Sequence, residues 1–117
     1  METSYESVQE FLESFKAKAL IYPIVFRDDR GKNFQSNLNF EITHEQRTRE
    51  VLQLVAEDYA QGPKEEKLYK GAEMWVFGKM VKGKEYYIKI SLGVFNDSPL
   101  CISFHPSEWP LTYAFRN

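Results

Sequence analysis

Three side chains in the last third of the chain are of the types that carry protons and hold phosphate: Tyr87, Lys89 and His105. Tyr87 and Lys89 lie two residues apart in KEYYIKISL, so on a strand they point to one side. His105 follows Ser103 with the same alternation in LCISFH. An imidazole near its neutral point can take or give a proton. With a phenol and an ammonium beside it, it can position and cleave a phosphodiester. One group takes the proton of a ribose 2′-OH, a cation rests on the phosphate, and an acid protonates the leaving oxygen. Each residue also has a plain reading: Tyr87 as a cross-strand packing partner, Lys89 as a solvated charge, His105 as a strand-end residue before Pro106. Antiparallel sheets commonly leave one side wet, and polar residues belong there.

The elements that would bring the three together are three β-patterned runs after residue 73: EMWVFGKMV, KEYYIKISL and LCISFH. They are rich in β-branched and aromatic residues and separated by turn signals. With Lys82-Gly83 as a hairpin turn, Val81 pairs with Lys84, Phe77 lies opposite Ile88 and Trp75 opposite Ile90. Trp75, Phe77, Ile88 and Ile90 then share a core side, which Ile102 and Phe104 are expected to join. Each such large side chain contributes roughly 1.5–3 kcal/mol when buried. The opposite side receives Val76, Gly78, Met80, Tyr87, Lys89, Ser91, Cys101, Ser103 and His105.

Upstream, SYESVQEFLESFKAKA reads as a helix capped by Ser4, with Val8, Phe11, Leu12 and Phe15 in one apolar stripe. In IYPIVFRD, Pro23 allows an edge strand at most. DDRGKN is a turn cluster and FQSNLNFEI is ambiguous. THEQRTREVLQLVAEDYA reads as a second helix, with Thr43 and Gln46 in capping-box spacing and Val51, Leu52 and Val55 on one face. QGP is expected to end it and KEEKLYKG to form a surface loop. The sum is a single α+β domain over residues 1–117. N-terminal helices pack on a small, mainly C-terminal antiparallel sheet, a three-stranded meander.

Composition narrows the function classes. At 117 residues with 43% hydrophobic content, the chain can bury a core without staples. No apolar run nears the ~18 residues of a membrane helix, and the acidic, amphipathic N-terminus lacks the layout of a secretory signal. The single Cys101 cannot form an internal disulfide, which makes a reducing cytoplasm the expectation. One Cys and two distant His residues argue against a structural zinc site, and no cofactor is expected. A net charge of −2 offers no general attraction to nucleic acid, but the charge is uneven: residues 1–59 carry a net of −4 and residues 60–117 a net of +2.

The run from Trp75 to His105, WVFGKMVKGKEYYIKI followed by CISFH, resembles the C-terminal sheet of the MqsR-type toxins of bacterial toxin–antitoxin pairs. In that family a Trp-bearing strand precedes a G-x-x-Y-[IL]-K-I strand and a final I/V-S-F-[KH] strand. THEQRTREVLQLVAEDY is similar to the family's second helix, which ends in an Asp-aromatic pair, here Asp58-Tyr59. The resemblance implies a RelE- or barnase-like fold and an endoribonuclease that cleaves mRNA independently of the ribosome, an mRNA interferase. It also implies a cognate antitoxin protein as partner. It assigns the family's active tyrosine to Tyr87 and its last-strand basic residue to His105, where better-known members have lysine. The glutamine after the Trp is Val76 here, and the lysine after the Asp-aromatic pair is unmatched at Ala60 and Gln61.

Lys64, Lys67 and Lys79 are candidates for the missing cation, although the register puts Lys79 on the core side near the sheet's end. Arg27 and Arg30 are further candidates for phosphate contacts. In the tail HPSEWPLTYAF, Trp109, Tyr113 or Phe115 can stack a base of single-stranded RNA or, more plainly, cover the sheet. The expected function is thus a toxin acting as a metal-independent endoribonuclease on RNA, with Tyr87, Lys89 and His105 as the catalytic set. The alternatives are a non-catalytic RNA- or protein-binding module on the same face and a scaffolding protein whose polar face is merely solvated.

Overall fold

The computed structural model describes residues 3–27, 42–66, 72–94 and 96–116. The turn at 28–33, most of FQSNLNFEI, Arg30, and Lys67 with the rest of the loop to Gly71 lie outside them. Helix α1 spans Tyr5–Ala19. It starts where Ser4 Oγ accepts from the Ser7 N–H and Ser7 Oγ accepts from the Ser4 N–H, both at 3.1 Å. This reciprocal cap satisfies two of the first-turn donors. Val8, Phe11, Leu12 and Phe15 are buried, as their spacing predicts. Phe11 lies flat on Trp75, with centroids 4.7 Å apart and planes at 15°, and so fixes α1 over the sheet.

Helix α2 spans His44–Leu52, and Thr43 Oγ1 accepts from the Gln46 N–H at 3.0 Å. It is shorter than its pattern suggests, for two polar contacts and a 3₁₀ turn end it. Lys16 Nζ donates to the Leu54 carbonyl at 2.7 Å, the Asp58 carboxylate accepts from the Val55 N–H at 3.0 Å, and a 3₁₀ turn follows at Ala56–Asp58. Val55, expected on the apolar face, is exposed, and Leu54 is buried in its place.

Among the described residues the sheet has five strands rather than three. They are β1 (Val25–Phe26), β2 (Tyr59–Glu66), β3 (Ala72–Val81), β4 (Lys84–Ser91) and β5 (Leu100–Pro106), in spatial order β1-β5-β4-β3-β2. Strand β1 runs parallel to β5 and every other pair is antiparallel, so the sheet is mixed. The stretch expected to end a helix and begin a loop, QGPKEE, is therefore strand. Gly62 and Pro63 look like breakers in sequence, but β2 is an edge strand, where a missing N–H costs little. Of the two register shifts of the β2–β3 ladder, the one between Gln61 and Lys64 falls across these residues.

The β3–β4 hairpin has the expected register, Trp75↔Ile90, Phe77↔Ile88 and Val81↔Lys84. Lys82 and Gly83 both have positive φ (51° and 81°), the turn that matches strand twist. The β4–β5 ladder departs from expectation at one point. Lys89 pairs with Ser103 but Ile90 with Cys101, so Ile102 is the extra residue of a bulge. Cys101 thereby enters the main core with Phe104, whereas Ile102 joins Met74 and Leu100 in a second apolar cluster. Both residues are thus on the side opposite to the one that plain alternation gives them.

After β5 the chain forms a strap across the outer face of β4 and β3. The Glu85 carboxylate accepts from the Leu111 N–H at 3.1 Å and from the Tyr113 hydroxyl at 2.6 Å. The strap passes over Gly78, where a Cβ would lie 2.1 Å from Tyr113 Oη and 2.5 Å from Leu111 Cδ1. Beyond it, Phe115 stacks on Tyr59 and meets the edge of Tyr5. Arg116 binds the Asp58 carboxylate at 2.9 Å.

Candidate functional site

Tyr87 and His105 are a direct cross-strand pair of β4 and β5. Their rings stack with centroids 5.3 Å apart and planes at 14°. Both are half-buried. His105 Nδ1 lies 2.9 Å from the Pro106 carbonyl oxygen. A carbonyl only accepts, so Nδ1 holds the proton of the neutral ring and Nε2 carries the lone pair. On its other side Tyr87 pairs with Gly78, and the space that a side chain there would take belongs to Leu111 and Tyr113. Burial in this setting pushes the Tyr87 phenol above its ordinary range. At neutral pH Tyr87 is therefore an acid, not a base.

Lys89 is two residues along β4 on the same face, opposite Ser103 of β5 and Val76 of β3. It is half-buried, and Val76 beside it is fully buried. The outer face is thus divided. One part is apolar and closed, built from Met74, Val76, Leu100 and Ile102; the other presents Tyr87, Lys89, Ser103 and His105. No family model, no curated protein and no solved structure matches this chain.

The candidate cations are not gathered at this site. Lys64 is exposed on edge strand β2 and shares the outer face by its register with Met74; its Nζ donates to Gln61 Oε1 at 2.5 Å. Arg27 follows β1 at the opposite edge, where its N–H donates to the Cys101 carbonyl at 2.9 Å. Lys79 is on the core side, as its register predicts, and bridges to α2 through Glu50 at 2.8 Å and Gln53 at 3.1 Å. It cannot serve the outer face from there. Lys67 and Arg30 are outside the described residues.

The tail aromatics have three different fates. Phe115 is packed against Tyr5 and Tyr59, and one face of the Tyr113 ring lies 3.6 Å beneath the Arg116 guanidinium. Trp109 is 79% exposed and keeps its indole available for stacking. Sequence reasoning missed Glu85, whose carboxylate holds the strap beside Tyr87. The signal for the strap was Gly78, a glycine inside a strand of large residues, which marks a close approach by another segment.

Proposed function

We propose that the chain binds RNA on the polar part of the outer face and cleaves it as the toxin of a toxin–antitoxin pair. The observation that carries this reading is the stacked Tyr87–His105 pair with Lys89 on the same face. The Nε2 lone pair of His105 takes the proton of a ribose 2′-OH, and that oxygen attacks the adjacent phosphorus. Lys89 balances the charge of the phosphorane. The phosphorus–O5′ bond breaks as the Tyr87 phenol protonates O5′. The products are a 2′,3′-cyclic phosphate and a free 5′-OH, and the proton on His105 returns to Tyr87 through water. Helices before a mainly antiparallel sheet fit the RelE-like fold that the resemblance implies, and the cognate antitoxin would cover this face.

The test is single-turnover cleavage of a defined RNA by wild type, His105→Ala and Tyr87→Phe. Each substitution is expected to lower the rate by ~10²–10⁴-fold, the usual contribution of one positioned proton transfer. Equal rates in all three sink the assignment. One observation favours a second reading, a module that binds RNA without cutting it. Val76, where the resembled family has glutamine, is fully buried and offers no polar group to the site. Salt-dependent RNA affinity with no cleavage products selects that reading.

A further inference from the structure

On the other side of the molecule, a groove follows α1 for its whole length. Glu10, Ser14 and Lys18 line it from one side at helical spacing, and Ile21, in the turn after the helix, continues the wall. Two lobes of about 440 and 470 Å³ meet at Ser14, Leu92 and Gly93, and both are open to solvent. The first lobe has the stacked Phe11–Trp75 pair as floor and Glu10 and Glu73 as walls. Glu73 also stands directly opposite Glu65 on β2. Like charges in that position repel, and no ion pair of Glu10, Glu65 or Glu73 occurs among the described residues.

The second lobe is apolar, formed by Ile21, Tyr22 and Leu92. Ile21 is 75% exposed. Lys18 lines this lobe, but its ammonium is turned onto the Leu92 and Val94 carbonyls and holds the β4–β5 connection to the helix. Burial lowers the Lys18 pKa. One end of the groove is therefore anionic, with no ion pair to these carboxylates among the described residues, and the other is apolar with Ile21 exposed.

We infer that this groove docks an extended segment of a partner protein bearing a basic side chain about five residues from an aliphatic one. The charge of the first lobe selects the basic residue, and the exposed apolar wall of the second selects the aliphatic one. The spacing follows from α1 and the turn after it. Glu10 and Lys18 are eight residues apart, ~12 Å along the helix. The Ile21 and Tyr22 N–H groups donate to the Lys18 carbonyl, which places Ile21 about one turn further on. An extended chain spans that distance in about five residues. The groove lies on the helical side of the sheet, away from Tyr87 and His105, so a partner here leaves that face open. This inference does not depend on the RNA-cleavage reading.

The test uses the whole protein and a labelled, acetylated hexapeptide amide, Arg-Ser-Thr-Ser-Thr-Leu, followed by amide chemical shifts and fluorescence anisotropy. Saturable shifts are expected at Ser14, Ile21 and Gly93. Affinity is expected to fall at least tenfold in the double variant Glu10→Lys/Glu73→Lys and in Ile21→Asp. Glu13→Lys, on a different side of α1, should leave it unchanged. All four positions are exposed, so the fold is retained, which circular dichroism checks. The inference is overturned by the absence of saturable shifts at millimolar peptide. Equal binding of a peptide with glutamate in place of arginine also overturns it, as does self-association of the protein through these same amides.

Discussion

Glu85 and Gly78 illustrate how far single residues decide this structure. The Glu85 carboxylate receives both the Leu111 N–H and the Tyr113 hydroxyl, and hydrogen bonds to a charged acceptor are the stronger kind. Tyr113→Phe is expected to cost about 1.5–3 kcal/mol in urea unfolding. Gly78→Ala is expected to cost about 1–3 kcal/mol by pushing the strap outward, as overpacked sites do. Since both act on one contact, a double-mutant cycle should show their costs to be non-additive. Burial and the neighbouring Glu85 carboxylate raise the Tyr113 phenol well above its ordinary range. The protonated form is therefore the one the fold favours. Its stabilising effect is complete below the unfolded phenol value near pH ~10 and is lost as pH rises beyond it toward the folded value. The melting-temperature gap between wild type and Tyr113→Phe should accordingly shrink above about pH 10. At the candidate site the sign has a second consequence. Any RNA cleavage that uses the Tyr87 phenol as acid should persist into alkaline pH, since burial holds that phenol above its ordinary range.

Among the elements, β5 shows how one extra residue redistributes side chains. The bulge at Ile102 sends Cys101 to the core, where burial pushes its thiol up to about 12. Cys101 should therefore be inert to Ellman's reagent at about pH 8 in the folded protein and react on unfolding. Rapid labelling under native conditions would contradict its position. Strand alternation put Tyr87, Lys89 and His105 on one face, and the structure has them there, because the β3–β4 turn and the Phe104–Ile88 pairing lie outside the bulge. Alternation failed for Cys101 and Ile102 because no local signal marks a bulge between two apolar residues. Strand β2 was illegible for another reason: its edge position, which tolerates Gly62 and Pro63, is a property of the sheet. Lys79 is the corresponding case among the cations. Its bridge to Glu50 and Gln53 ties β3 to α2. Lys79→Ala should lower stability and leave any RNA cleavage rate unchanged, a split that Lys89→Ala should reverse.

At the scale of the whole molecule, the C-terminal strap joins the two sides of the sheet. It starts on the outer face at Glu85 and Gly78 and ends against α1 and the 3₁₀ turn through Phe115 and Arg116. Removal of residues 111–117 should lower the unfolding midpoint in urea and expose Tyr59 and Gly78 to solvent. Faster amide exchange along the Tyr87 side of β4 should accompany it. The two faces differ in character. The outer one, bordered by the strap, holds the Tyr87–His105 pair, and the helical one holds the acidic and apolar groove along α1.

The amino-acid sequence alone determined the features that depend on near neighbours. These are the apolar stripe and serine cap of α1, the start of α2 at Thr43, the Lys82-Gly83 turn with its register, and the shared face of Tyr87, Lys89 and His105. Each follows from a period or a turn conformation that residues a few positions apart impose on one another. Only the tertiary structure decided the end of α2, the strand at Tyr59–Glu66, the bulge at Ile102 and the strap over Gly78. These rest on contacts between residues up to 59 positions apart, such as Arg116 with Glu57. Their stabilisation comes from burial and hydrogen bonds that no local window contains.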